Sequence, residues 1–129
     1  MLGEVSELRS IEWKDGVVEI IDQTQLPHKL VYRMLKTCED VVEAINSMRV
    51  RGAPLIGVSA AFALALTAYP SKARSRDKLL AELLRDAEAL KSTRATGANL
   101  HNCIERVLKA ALSQETVEAV KEAVVREAL

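Results

Sequence analysis

Aromatic side chains are nearly missing from this chain: Trp13, Tyr32, Phe62 and Tyr69 make up 3% of it. So sparse a set cannot build a platform for stacked nucleobases, and it leaves the core to Leu, Val, Ile and Ala. An excess of one charge is missing too, with 18 Lys+Arg against 18 Asp+Glu and a formal net charge of zero. That excludes a strongly basic nucleic-acid binder, whose affinity comes from neutralising phosphates. Cysteine is reduced to Cys38 and Cys103, without CxxC or Cys/His spacing. These are too few for a disulfide scaffold, so two reduced thiols in a cytoplasmic protein are expected. His28 and His101 have no partner pattern of a metal site; a packing or surface role is expected for His101. The first ten residues hold no apolar core of a secretory signal. The longest apolar stretch, Leu55 to Tyr69, runs for 15 residues, against the about 20 that span a bilayer. It reads as a buried helix, and no membrane partner is expected. GxGxxG, a Ser/His/Asp set and paired carboxylates are all missing, so no general acid–base pair is visible.

What is present describes one globular domain. Over 129 residues, 49% are hydrophobic and 28% charged, enough for one buried core. The first third reads as β structure. Ser10 to Trp13 and Val17 to Ile21 flank the turn signal Asp15-Gly16, which predicts a hairpin. Asp22 to Pro27 breaks the pattern, with Asp22 expected to bond its own turn, and Leu30 to Leu35 reads as a further strand. The period then becomes helical. Asp40 reads as an N-cap with Glu43 three residues on, and Val41, Val42, Ile45 and Met48 mark one apolar face through about Val50. Pro54 suits the first turn of a second helix, Leu55 to about Ala68, apolar almost all round. Asp77 starts a third, with Leu79, Leu80, Leu83, Leu84, Ala87 and Leu90 on one face. Ala98 to Leu112 forms a fourth, with Cys103, Ile104, Val107, Leu108 and Ala111 inward. Glu115 to Leu129 forms a fifth, with Val117, Val120, Val124 and Val125 apolar. It is expected to dock on the bundle or to lead into more protein. The fold class is α+β: a small N-terminal antiparallel β unit, about 8–36, followed by a helical bundle, about 39–129.

Two segments could carry chemistry. In Arg49-Val50-Arg51-Gly52-Ala53-Pro54, a helix beginning at Pro54 leaves the N–H groups around Ala53, Leu55 and Ile56 unpaired at the positive end of its dipole. Gly52 allows close approach of a ligand, and Arg51 supplies a bidentate donor suited to phosphate. The bland alternative is a glycine turn with solvated arginines. In Thr93-Arg94-Ala95-Thr96-Gly97-Ala98-Asn99, an arginine and hydroxyls again precede a helix. There the alternative is Thr96 as a simple N-cap and Arg94 as a surface residue. Convergence of the two segments on one phosphate stays open at this point.

Three segments in this order and spacing, IEWKDGVVEIIDQTQLP (Ile11 to Pro27), MRVRGAPLIGVSAA (Met48 to Ala61) and Arg94 to Leu100, carry a resemblance. From about Leu8 to Ala111 the chain resembles the N-terminal domain of the methylthioribose-1-phosphate isomerase family. Ribose-1,5-bisphosphate isomerases and regulatory subunits of the translation initiation exchange factor share that fold but generally lack this combination of motifs. The resemblance implies that Arg51, Gly52 and Ala53 match one substrate-binding segment and Arg94 a second. The family usually reads Arg-Pro-Thr-Ala-Val-Asn-Leu at the second; here Ala95 and Gly97 replace the proline and a small side chain, which predicts a looser loop.

The resemblance further implies a cytoplasmic aldose–ketose isomerase of methionine salvage that turns 5-methylthioribose 1-phosphate into 5-methylthioribulose 1-phosphate. It implies a homodimer and no metal or organic cofactor. The family's catalytic Cys and Asp lie in a second, Rossmann-like domain and have no counterpart among these residues; Cys38 and Cys103 are not that thiol. On this reading residues 1–129 are an N-terminal substrate-binding domain, inactive without the second. The alternatives are a non-catalytic module of the same superfamily that binds a sugar or nucleotide phosphate, and a helical interaction domain with no ligand.

Overall fold

A computed structural model of the chain describes residues 10–95 and 97–129. It has the expected class, a three-stranded antiparallel sheet followed by five helices. Strand β1 (Ile11–Trp13) pairs with β2 (Val18–Ile21), and β2 pairs with β3 (Tyr32–Leu35). The β1–β2 turn works as Asp-Gly turns do. Asp15 (φ 48°) and Gly16 (φ 89°) both take left-handed backbone, which matches the twist of the flanking strands. The alternation of β2 turns Val18 and Ile20 to the core, where Leu35 of β3 joins Val18. Trp13 fastens the sheet to the helices: its ring stacks on Phe62 at 6.0 Å and meets Tyr69 edge-on at 5.5 Å. The third strand begins at Tyr32 rather than Leu30, because its partner β2 ends at Ile21 and Asp22 turns into a short 3-10 segment, Gln23–Gln25.

The helices are α1 (Cys38–Asn46), α2 (Ala53–Ala68), α3 (Arg76–Lys91), α4 (Ala98–Leu112) and α5 (Val117–Ala128). The starts of α1 and α3 differ from expectation in the same way: the capping hydroxyl precedes the acidic residue. Thr37, not Asp40, caps α1. Its Oγ accepts the Asp40 N–H at 3.1 Å, and the Asp40 carboxylate accepts the Thr37 N–H at 3.2 Å, a reciprocal capping box. Ser75 caps α3, which leaves Asp77 inside its first turn, whereas Thr116 caps α5, so that helix begins at Val117, two residues beyond the expected Glu115. Helix α1 also stops at Asn46, short of Val50. Met48 takes a left-handed φ of 64°, and the Arg49 and Met48 N–H groups bond back to Ala44 and Ile45 carbonyls. This is the closing pattern usually made by glycine. Met48 is accordingly exposed rather than on the apolar face.

Helix α2 is the centre of the bundle. It packs on the other four helices and on β1, and eleven of its sixteen residues are buried, which is why its sequence shows no polar face. Around it Ile45, Leu79, Leu83, Leu90, Leu100 and Ile104 complete the core. Leu84 departs from the expected inward face and is half-exposed, and Cys103, Val117 and Val125 are only partly buried. Among the described residues, no helix is long and apolar enough to cross a membrane.

Candidate functional site

Helix α2 starts without a side-chain cap. Its N-cap is Gly52, whose φ of 93° suits glycine, and Pro54 in the first turn has no N–H to satisfy. The Ala53 and Leu55 N–H groups have no hydrogen bond among the described residues, whereas Ile56 differs from expectation: its N–H is paired with the Gly52 carbonyl at 2.9 Å. Helix α4 also starts on a glycine, Gly97, with no side-chain cap. Thr96, expected as its cap, lies outside the described residues. The three other helices carry hydroxyl caps. Among the described residues neither the α2 start nor the α4 start has a side-chain cap, which leaves a positive dipole end at each for an anion.

These two starts meet in one pocket of about 220 Å³. Ala53 and Ile56 of α2 form one wall; Arg94, Ala95, Gly97 and Asn99 form the other. Of the residues singled out in the sequence, the structure thus brings Ala53 and Arg94 together. Arg51 and Gly52 do not line the pocket; they are exposed on the segment just before Ala53. A larger groove of about 690 Å³ lies between α3 and α4, but an ion pair at 2.9 Å occupies its Lys91 and Glu105.

Arg94 is held from behind. Its N–H donates to Asn46 Oδ1 at 2.9 Å, and its Nε donates to the Ile45 carbonyl at 2.8 Å. Both acceptors belong to the end of α1, so the loop that lacks the proline is tied down from another helix. The Nη groups have no protein partner among the described residues. A guanidinium anchored through Nε with its fork open is suited to a phosphate or carboxylate.

The sequence model described as "Initiation factor 2 subunit family" matches residues 49–129, a span that holds both pocket segments. The chain belongs to that family. A putative methylthioribose-1-phosphate isomerase of Archaeoglobus fulgidus is 44% identical over 94% of this chain and 35% of its own length. A 5-deoxyribose 1-phosphate isomerase of Moorella thermoacetica is 45% identical over 92% and 34%. The crystal structure of 5-methylthioribose 1-phosphate isomerase from Pyrococcus horikoshii superimposes with a TM-score of 0.88, at 38% identity over 93% of this chain and 34% of that one. The chain thus spans about a third of the length of the relatives it matches.

One polar cluster escaped the sequence. Asp22 bonds its own turn as expected, accepting the Thr24 N–H at 2.9 Å. It is also fully buried, accepts Arg33 Nε at 2.5 Å and lies 3.4 Å from Arg49 Nε. Arg49 pairs with Glu43 at 2.6 Å, and its carbonyl accepts the Gln23 N–H at 2.9 Å. The first arginine of the family-matched span is therefore a strut that ties the sheet to the segment leading to Arg51. Partners eleven and more residues away leave no local signal. Burial pushes the Asp22 carboxyl up, but the bonds from Thr24 and Arg33 outweigh it and hold the group below its ordinary 3.8. A lowered value stabilises the fold above pH 3.8, and that stability is lost as pH falls through the folded value. Asp22→Asn is expected to melt below the native protein at neutral pH, and the gap should close as the pH drops below about 4. Thermal unfolding across a pH series measures this; a gap that stays constant would deny Asp22 the role.

The cysteines take no part in the pocket. Burial pushes the Cys38 thiol up to about 12, so it is not a nucleophile near neutral pH.

Proposed function

We propose that this chain is the phosphate-gripping part of an aldose–ketose isomerase that converts 5-methylthioribose 1-phosphate to 5-methylthioribulose 1-phosphate in methionine salvage. The observation that carries this reading is the meeting of two helix starts, neither with a side-chain cap among the described residues, and Arg94 in the lining of one small pocket. The names of the relatives support the substrate class, a pentose 1-phosphate modified at its fifth carbon. In this scheme the Arg94 fork and the open N–H groups of α2 hold the phosphate dianion. Gly52 keeps the backbone clear of side chain, and Arg51 reaches the same charge from outside the pocket. The phosphate on C1 prevents the simple ring opening of a free sugar. Fixing it would set C1 and C2 against groups that open the ring and move hydrogen between them. Those groups belong to the two-thirds of the relatives' length that this chain does not span. The same reading takes the protein to be cytoplasmic and a homodimer.

A second reading is favoured by the description of the family: a non-catalytic regulatory module that binds a sugar or nucleotide phosphate. Calorimetric titration with inorganic phosphate, ribose 1-phosphate and AMP separates the two. Ribose 1-phosphate is expected to bind and to compete with inorganic phosphate, while free ribose does not bind. Tighter binding of AMP would favour the regulatory module. No binding of any phosphate would remove both.

A further inference from the structure

We propose that Gly57 is a positioning residue for the phosphate pocket: by leaving the α2–α4 contact without a side chain, it lets the two helix starts come close enough to share one ligand. The inference rests on the phosphate reading above. Gly57 is buried in α2, four residues beyond Ala53. A Cβ placed there would lie 2.8 Å from Cys103 Sγ and 3.1 Å from the Asn99 carbonyl oxygen. Both neighbours are on α4, and Asn99 is in its first turn and lines the pocket. The sulfur can rotate away, but the carbonyl is backbone and yields only if the first turn of α4 moves. That movement carries Asn99 away from Ala53 and Ile56 on the opposite wall.

The other two glycines of the site serve a different purpose. A Cβ at Gly52 or Gly97 would meet nothing within 4 Å. Gly52 is suited to its backbone angle, and Gly97 brings no capping side chain of its own to the helix start. Gly57 has helical backbone that alanine adopts more readily. A helix-weakening residue in the most buried helix is explained by the close approach it permits. Packed interiors accommodate even one added methyl only by shifting their neighbours.

Calorimetric titration of the chain with inorganic phosphate tests the assignment, with urea unfolding of each variant in parallel. Gly57→Ala is expected to weaken phosphate binding severalfold, since the added methyl forces the neighbouring α4 backbone to give by a few tenths of an ångström. Val124→Ala, in the buried face of α5 and away from the pocket, should lower stability and leave phosphate affinity unchanged. In Gly57→Ala/Cys103→Ala the sulfur contact is gone and folding is eased, while the Asn99 contact remains; binding should stay weak. Native affinity in folded Gly57→Ala, or full recovery in the double variant, would overturn the role of the α4 backbone while the phosphate reading stands. Failure of the native chain to bind phosphate would remove that reading, and this inference with it.

Discussion

Arg94→Ala is expected to weaken inorganic phosphate binding by about ten- to a hundredfold, the range of a lost charge-assisted hydrogen-bond pair at about 1.5–3 kcal/mol. The size follows from its place. Arg94 is the one arginine on the pocket wall, with Nε anchored to Ile45 and its fork directed by that anchor. Arg94→Lys should recover only part of the affinity, because an ammonium cannot bond Ile45 and grip phosphate bidentately at once. Arg51→Ala should cost less, about threefold, since Arg51 does not line the pocket and acts only through screened attraction. Calorimetry gives the affinities, and circular dichroism confirms that each variant is folded. Phosphate affinity unchanged in Arg94→Ala would take the arginine out of the site.

The second large effect is on stability. Leu64 sits fully buried in the middle of α2, the helix that touches the sheet and every other helix. Leu64→Ala is expected to cost about 2–5 kcal/mol, the transfer loss plus a cavity that surrounding helices cannot collapse into. For a domain with about 5–15 kcal/mol in total, that is a large share. Urea unfolding should show a lower midpoint with an unchanged slope. A shift under about 1 kcal/mol would mean that the α2 seam repacks and is softer than its burial indicates.

The elements most legible in the sequence are those set by neighbouring residues. Asp15-Gly16 forms the left-handed turn its residue types demand, Pro54 falls in the first turn of α2, and the all-round apolar run from Leu55 is the central helix. Where the reading slipped, two local signals competed. Asp40 and Thr37 are both good caps; the hydroxyl took the cap and the carboxylate completed the box from the third position. Met48 continued an apolar period, but its own left-handed backbone closes the helix after Asn46. The Asp22 strut was half visible. Its bond to Thr24 is local, whereas Arg33 and Arg49 reach it only through the folded chain.

The candidate site divides in the same way. Sequence marked Arg51, Gly52, Ala53 and Arg94, because an arginine or glycine just before a helix start is an anion-ready pattern within a few residues and the family resemblance matches the same positions to substrate-binding segments. Sequence also determined the α+β class and the charge balance, which means any anion site here is local. Tertiary structure decided that Ala53 and Arg94 share one pocket, that Arg51 stands outside it, and that the end of α1 holds Arg94. The physical reason is range. Caps, turns and periodicity are written into adjacent residues, while the meeting of two helix starts depends on how closely α2 and α4 pack, at Gly57, more than forty residues before the Asn99 and Cys103 it touches.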